Sequence, residues 1–311
     1  MKRFALLIRT TPTIDDTNYP RLARELGLLG FEVDALFIDS LSLKAGKIYA
    51  RGFPWDSGLG IHDSFPSLQD IEINHSYVWV LGFGDRSSFL DKYQLLYALP
   101  SSCQVINSLN ALMHMNSKYL LATHAKFQNP ETWASTDAHE LIEVVRQHSG
   151  PWIVKPPAGS LGRDVFKIDQ NDSNLSAIIQ NLCGPENTNY TLLQRYVPEI
   201  EQGEKRVLIA GGRVIDQYLR MPTLDHRTNI HQGAKIARCT LNKAESALCH
   251  NLARLLLEEG VYFAGIDLAY PWLIEVNVVN PGGIGTIDDL TQVDRSKEVC
   301  CAILGCLGLE F

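Results

Sequence analysis

The chain has 311 residues, of which 45% are hydrophobic, enough to bury a sizeable core and to form two or three domains. Its formal net charge is -7 at pH 7 and it has no lysine- or arginine-rich tract, which argues against a general binder of nucleic acid or of membrane surfaces. No stretch approaches the roughly 20 apolar residues that span a bilayer, and the seven scattered cysteines lack zinc-ligand spacing and suit a reducing cytosol. We therefore expect a cytoplasmic globular protein.

Strand-like and helical patterns alternate from Phe4 to about Ser108. The apolar runs FALLI, VDALFI, YVWVLGFG and CQVIN predict strands, and helical periodicity lies around Arg21 to Leu29 and Phe89 to Leu99. This alternation predicts an open α/β sheet over residues 1–108. The first run lacks a small-residue cleavage site, so we expect a buried strand there and no signal peptide. The segment 44–70 is rich in Gly, Pro and Ser and predicts a long loop.

Two further α/β pieces are expected, over residues 109–185 and 186–311. The run ALMHMNSKYLLATHA predicts one or two helices, with Asn116 as a cap that places Lys118 in the first turn of the second helix. The last segment, SKEVCCAILGCLGLE, predicts a closing helix with its apolar and cysteine positions packed inward.

The segment DLAYPWLIEVNVVN carries a candidate magnesium site. Side chains two apart on a strand share a face, so Glu275 and Asn277 point the same way. Asp267 shares that face if the hairpin turn is odd or a bulge intervenes, and we predict a three-residue turn around Tyr270 and Pro271. Magnesium prefers a few carboxylates together with water and phosphate oxygens, so the pattern points to a bound nucleotide. An ordinary hairpin with polar residues on its wet face is the alternative.

A glycine-bearing hairpin is predicted in PWIVKPPAGSLGRDVFKI. Gly159 and Gly162 allow the backbone at the tip to approach anionic oxygens, while Lys155 supplies a point charge. The segment is not a Walker loop, since no helix opens with Gly-Lys-Ser/Thr after it. A plain glycine-containing hairpin is the alternative.

The segment LLQRYVPEIEQGEKRVLI adds a strand that ends near Arg195 and a second strand that begins at Glu204. The strand exit can offer backbone groups to an adenine edge, and Glu204 can hold ribose hydroxyls. Arg206 and Arg220 are expected on neighbouring strands of one hairpin, turned at Ala210-Gly211-Gly212, where their guanidinium groups suit phosphate or carboxylate oxygens. Each could equally be a solvated sheet residue.

The order of these motifs resembles the ATP-grasp superfamily, and most closely the bacterial glutathione synthetases, over about residues 105–288. The resemblance implies an ATP-grasp fold with α+β architecture in its ATP-binding part and an N-terminal open α/β domain. It assigns ATP phosphates to Lys118 and Lys155, and magnesium to Asp267, Glu275 and Asn277. The wider nucleotide site comprises the flap residues Gly159, Ser160, Leu161 and Gly162, the adenine strand Gln194, Arg195, Tyr196 and Val197, and Glu204 on ribose. Arg220, Arg206 and Lys155 become the expected catalytic residues, and Arg220, Arg227, Asn229, Asn280, Gly282 and Gly283 the expected substrate contacts.

The activity implied is ATP-dependent amide formation through an acyl phosphate, with γ-glutamylcysteine and glycine as the first substrates to consider and a dimer or tetramer as the assembly. Two departures leave the substrates open. The turn after Asn277 is Pro-Gly-rich where the family has Ser/Thr, and the N-terminal part has GFGDRSSFLDKY in place of a basic, proline-rich stretch. Arg86, Ser87 and Ser88 either substitute for that stretch or are ordinary loop residues.

Two alternatives remain on sequence grounds. One is an ATP-grasp ligase that adds an amino acid to a protein or peptide tail, although the acidic net charge mildly favours small substrates. The other is an ATP-binding regulatory module without turnover, against which the complete magnesium triad argues. A nicotinamide dehydrogenase is disfavoured because no G-x-G-x-x-G follows the first strand.

Overall fold

The structure, a computed structural model, describes residues 2–56, 58–115, 118–124, 126–157, 164–223 and 233–310. The N-terminal third forms a seven-stranded sheet of order β3-β4-β2-β1-β6-β7, with β5 paired to β4. The apolar run FALLI becomes its central strand, buried from Phe4 to Ile8 because helices cover both faces of a parallel sheet. The elements are β1 (Arg3–Ile8), α1 (Asn18–Leu28), β2 (Glu32–Phe37), β3 (Ser42–Lys44), β4 (Lys47–Pro54), β5 (Gln69–Glu72), β6 (Tyr77–Val80), α2 (Phe89–Tyr97) and β7 (Gln104–Ile106).

The open α/β prediction is confirmed here, but the loop predicted over 44–70 is wrong in its first half. Strand β4 alternates buried and exposed residues and pairs antiparallel with β2. A Cβ on Gly52 would lie 2.1 Å from the carbonyl oxygen of Ala35, so glycine permits the close approach of the two strands. The glycine and proline that suggested a loop therefore belong to a strand.

Strand β1 pairs with β2 on one side and β6 on the other, both parallel. The chain thus winds in opposite directions from β1, and the carboxyl ends of β1 and β6 flank the crevice where open α/β sheets bind ligands.

The middle of the chain forms a four-stranded antiparallel sheet of order β10-β9-β11-β8. One face packs Trp152, Val154 and Leu193 against two helices, and the other face carries polar side chains of the site. The elements are α3 (Leu109–Met115), α4 (Lys118–Thr123), β8 (Thr132–Ser135), α5 (Ala138–Gln147), β9 (Trp152–Lys155), β10 (Phe166–Ile168), α6 (Leu175–Cys183) and β11 (Thr191–Arg195).

Lys118 begins α4 as expected from the sequence, while its proposed cap Asn116 lies outside the described residues. Strand β11 lies after the boundary drawn at residue 185, yet it pairs with β8 and β9. The central sheet therefore extends to Arg195, and the division into three domains stays a prediction.

The last third forms a five-stranded antiparallel sheet of order β14-β13-β12-β15-β16, with α7 and α9 beside it. The predicted hairpin turn at Gly211 and Gly212 is confirmed, with φ of 54° and 72°, and so is the closing helix, whose Val299, Cys300 and Ile303 are buried. The elements are β12 (Glu204–Ala210), β13 (Arg213–Met221), β14 (Lys235–Arg238), α7 (Lys243–Glu258), β15 (Phe263–Ala269), β16 (Trp272–Asn277), α8 (Ile284–Thr291) and α9 (Ser296–Cys306).

The three-residue turn predicted around Tyr270 and Pro271 is wrong. Ala269 pairs with Trp272, so the turn has two residues, and the register shifts between Asp267 and Leu268 because Ile274 is an extra residue in β16. This bulge restores the alternation and places Asp267 directly opposite Glu275.

The N-terminal and C-terminal sheets share one apolar core, in which Leu7 and Val80 pack in the same cluster as Ile209 and Ile266. Asn107, only 1% exposed, fixes this junction. Its amide nitrogen donates to the carbonyl oxygens of Phe263 and Val278, and its oxygen accepts from the backbone N–H groups of Tyr262 and Phe263. Within the described ranges, no helix is both long and apolar enough to cross a membrane.

Candidate active site

The hairpin formed by β15 and β16 carries two carboxylates and an amide on one face. Asp267 pairs with Glu275 in the strand register, and the Asn277 amide nitrogen lies 3.5 Å from Asp267 Oδ2. The side chain of Glu275 is 31% exposed and that of Asp267 only 4%. The expectation that the three share a face is confirmed, and the direct pairing follows from the bulge.

Two buried arginines hold Asp267. Arg206 donates from Nε to Oδ1 at 2.5 Å and from Nη2 to Oδ2 at 3.0 Å, and Arg220 Nη2 lies 2.8 Å from Oδ1. Although burial opposes ionisation of Asp267, these guanidinium groups lower its pKa to about 2. The carboxylate is therefore charged throughout the neutral range.

Arg220 also donates to Glu204, so it bridges two carboxylates. Burial disfavours its charge, but Asp267 and Glu204 raise the Arg220 pKa above its ordinary value. Its Nε is buried and has no hydrogen-bond partner within the described part of the chain. Nη2 makes both of these contacts, and among the described residues the Nε N–H is an unpaired donor inside the site. Glu204, expected on ribose, is paired with Arg220 in this state.

Arg206, which the sequence predicts to be catalytic, donates to other groups of the protein. Besides its two bonds to Asp267, its Nη1 donates to the carbonyl oxygen of Pro281. Its side chain is 10% exposed. The contacts describe an arginine that joins Asp267 to the turn after β16.

Two lysines enter the site from other elements. Lys118, at the start of α4, donates to Glu275, and Lys155, at the end of β9, donates to the Gln194 side-chain oxygen at 2.8 Å. Burial, followed by repulsion from Lys118, lowers the Lys155 pKa to about 8. Burial raises the Glu275 pKa, but Lys118 overcomes this and holds it below its ordinary value.

The charges of this cluster do not cancel. Its cations are Lys118, Lys155, Arg206 and Arg220, and its carboxylates are Glu204, Asp267 and Glu275. A partly desolvated group with one excess positive charge favours binding of a polyanion, because charges interact strongly where water is displaced.

The oxygen donors fit magnesium. Two ionised carboxylates and a neighbouring amide are hard ligands of the kind that magnesium accepts when phosphate and water complete its shell. No group of three or more His, Cys, Asp and Glu side chains suited to a metal occurs among the residues described. Glu275 and Asn277 are the more accessible of the three groups, while both oxygens of Asp267 are already engaged.

The expected adenine strand offers few free donors. The Arg195 N–H bonds to Glu131 O at 2.8 Å and the Tyr196 N–H to Pro151 O at 3.1 Å. The Val197 N–H makes no backbone hydrogen bond within the described chain. The Arg195 guanidinium stacks 3.8 Å from the Trp152 ring centroid and donates to Ser149 O, so its side chain stabilises the sheet.

The turn after β16 joins the site to the N-terminal sheet. Asn280 donates to Asp16 Oδ2 at 2.7 Å and accepts from Asn18 Nδ2 at 2.6 Å. Gly282 and Gly283 have φ of 68° and 96°, which glycine adopts without strain, and Gly283 precedes α8. The turn therefore links the segment around Asp16 and Asn18 to the hairpin of β15 and β16.

Six predicted site residues lie outside the described residues, namely Gly159, Ser160, Leu161, Gly162, Arg227 and Asn229. Sequence reasoning missed Asp16, Asn18 and Thr132, which the fold brings to this region. No motif marks them, because each acts through a contact with a residue distant in the chain.

Comparison with known proteins identifies the family. Residues 118–292 match the family described as prokaryotic glutathione synthetase, ATP-grasp domain. The chain belongs to this family. It is 34% identical over 196 residues to the glutathione synthetase of Gloeobacter violaceus, covering 63% of this chain and 60% of that protein. It is 31% identical to the glutathione synthetase of Neisseria meningitidis serogroup A, covering 88% of this chain and 89% of that protein.

With the Thermosynechococcus vestitus glutathione synthetase the identity is 31%, over 64% of this chain and 62% of that protein. The chain thus spans about three fifths of the length of the Gloeobacter violaceus and Thermosynechococcus vestitus proteins.

Solved structures confirm the ATP-grasp fold. A RimK-domain ATP-grasp protein from Sphaerobacter thermophilus superposes with a TM-score of 0.67 at 16% identity, covering 97% of this chain and 100% of that one. The D-cycloserine synthetase DcsG superposes with a TM-score of 0.67 at 14% identity, covering 98% and 99%. At these identities the likeness concerns the fold.

Proposed function

We propose that this protein is an ATP- and magnesium-dependent carboxylate–amine ligase of the glutathione synthetase type, producing ADP and phosphate. The observation that carries the proposal is the Asp267 hairpin, where paired carboxylates and an amide meet four cations from four other elements. The family of residues 118–292 supplies the reaction class. The first substrate pair is γ-glutamylcysteine and glycine, because glutathione synthetases are the relatives at about 30% identity.

The chemistry requires no protein nucleophile. A substrate carboxylate attacks the γ-phosphorus of ATP, ADP leaves, and an amine then displaces phosphate from the acyl phosphate to form the amide. Bound magnesium would neutralise phosphate charge and would be held by Asp267, Glu275 and Asn277. Lys118 and Lys155 would place the phosphates, and the Nε donor of Arg220, unpaired within the described ranges, suits an oxyanion. Such a group commonly contributes roughly 3 kcal/mol to transition-state binding.

Arg206 supports this arrangement by joining Asp267 to Pro281. The substrates would lie between that turn and the carboxyl ends of β1 and β6, where Asn280 meets Asp16 and Asn18. We further propose small-molecule substrates, a cytoplasmic location and a homo-oligomeric assembly.

The test is magnesium-dependent ADP release by the purified protein with γ-glutamylcysteine plus glycine, and with each substrate alone. Release that requires both and yields glutathione supports the proposal. Release only with another acid and amine keeps the mechanism and changes the substrates. Tight ATP binding without turnover on any small pair supports a protein-tail ligase or a regulatory module instead.

The Arg220→Ala variant tests the catalytic assignment. We expect turnover to fall far more than ATP affinity, since the Nε donor is assigned to the reacting oxygens. An equal loss in both quantities contradicts that role.

A further inference from the structure

Three polar side chains form a hydrogen-bonded chain that ends at Lys155. The Lys155 ammonium donates to Gln194 Oε1 at 2.8 Å, and Gln194 Nε2 donates to Thr132 Oγ1 at 3.0 Å. The Thr132 hydroxyl in turn donates to the carbonyl oxygen of Pro130 at 2.8 Å. Gln194 was expected to contact the nucleotide, and in this structure each end of its amide makes one hydrogen bond to these neighbours.

The pairing of three strands brings these side chains together. Gln194 on β11 pairs directly with Thr132 on β8 and with Ile153 on β9. Lys155 lies two residues beyond Ile153 and therefore shares the face of Gln194. Three strands thus contribute one group each to the same face, opposite the face that packs on α5 and α6.

The direction of each hydrogen bond is determined by chemistry. An ammonium group only donates, so the Gln194 amide must present its oxygen to Lys155 and its NH2 to Thr132. The threonine oxygen must then accept, and its single hydrogen is left for Pro130, whose carbonyl only accepts. A different orientation of the amide would face the ammonium with an NH2 group. The contacts therefore allow one assignment of the amide oxygen and nitrogen.

We propose that Thr132 is a positioning residue for Lys155, which fixes the Gln194 amide so that its oxygen holds the ammonium in place for the phosphates of ATP. The assignment of Lys155 to phosphate rests on the proposed function, but the contacts do not. The hydrogen bond is important because burial and Lys118 both disfavour charge on Lys155. Without the Gln194 oxygen as acceptor, the Lys155 ammonium would lose its proton more readily and would no longer be held in one position.

The first test concerns the unliganded protein. In Thr132→Val the shape is kept and the acceptor is lost, so we expect the titration midpoint of Lys155 to fall by about one pH unit. The midpoint is read by NMR on protein with 13C-labelled lysine, and Lys155→Arg identifies the signal. Thr132→Ser retains the hydroxyl and should restore the wild-type midpoint.

Thr191→Val is the matched control. Thr191 lies on β11 with its buried side chain on the opposite face of the same sheet, so its loss should leave Lys155 unchanged. A Thr132→Val midpoint equal to that of the wild type, or failure of Thr132→Ser to restore it, would overturn the proposal.

The second test is the affinity for ATP at pH 7. We expect Thr132→Val to raise the Kd about tenfold, while Thr132→Ser and Thr191→Val stay within about twofold of the wild type. A wild-type protein that does not bind ATP contradicts the proposed function, whereas the NMR midpoints still decide the role of Thr132. Wild-type binding with an unchanged Kd in Thr132→Val overturns the positioning role alone.

Discussion

ATP affinity should decrease with rising pH because one phosphate-binding lysine titrates near neutrality. Burial and the adjacent Lys118 lower the Lys155 pKa to about 8 in the unliganded protein. If phosphate binding requires the ammonium, about nine tenths of the molecules are competent at pH 7 and about one tenth at pH 9. The affinity should fall, not rise, with increasing pH, because the Lys155 ammonium loses its proton as the pH rises through its pKa. We therefore expect the Kd to rise about tenfold between these two pH values.

The assay is calorimetric titration with a non-hydrolysable ATP analogue at each pH. Lys155→Arg is the control, because a guanidinium stays charged throughout this window, and its Kd should vary much less. Ionisation of the nucleotide itself affects both proteins equally and cancels in the comparison. A constant Kd in the wild type, or the same rise in Lys155→Arg, would refute the reasoning.

Three further substitutions test the site and its support. Glu275→Gln removes one of the two carboxylates expected to bind magnesium. The magnesium concentration needed for half-maximal ADP release should therefore rise about tenfold or more. An unchanged concentration would show that Glu275 does not bind the metal. In Gly265→Ala the new Cβ would lie 2.8 Å from Pro281 Cβ and 3.0 Å from Arg206 Cδ. We therefore expect reduced turnover and a decrease of about 1–3 kcal/mol in the free energy of unfolding. Gly305→Ala is the control, because its Cβ meets nothing within 4 Å and should not destabilise the protein. Asn107→Leu removes four buried hydrogen bonds and should lower the free energy of unfolding by about 3 kcal/mol in urea denaturation; a loss below about 1 kcal/mol would show that the amide contributes little.

Local periodicity predicted that Glu275 and Asn277 share a face, but not the backbone that places Asp267 beside them. Glu275 and Asn277 share a face because alternation is a property of any strand, and that can be read from residue order. The position of Asp267 depended on the choice between an odd turn and a bulge, and the sequence allowed both. The structure has a bulge at Ile274, which results from how two particular strands pack and leaves no periodic signal.

Contacts between distant strands were the least predictable part of the site. Both arginines were placed correctly on one hairpin, but their shared partner, Asp267, lies on a third strand. The register that pairs Arg206 with Asp267 depends on the whole sheet, so the sequence predicted a catalytic role for Arg206 without showing that it holds a carboxylate. Thr132 was missed for the same reason, since it acts only through Gln194.

The Lys118–Glu275 ion pair makes the two expected ligands of this site mutually dependent. Lys118, which is expected on the ATP phosphates, donates to Glu275, the more exposed of the two carboxylates expected to bind magnesium on this hairpin. A phosphate that takes Lys118 frees Glu275, and a metal ion that takes Glu275 frees Lys118. Each ligand therefore removes a competitor of the other, which is a reciprocal coupling between two binding steps. The ion pair of the unliganded state thus favours uptake of nucleotide and metal together over either one alone.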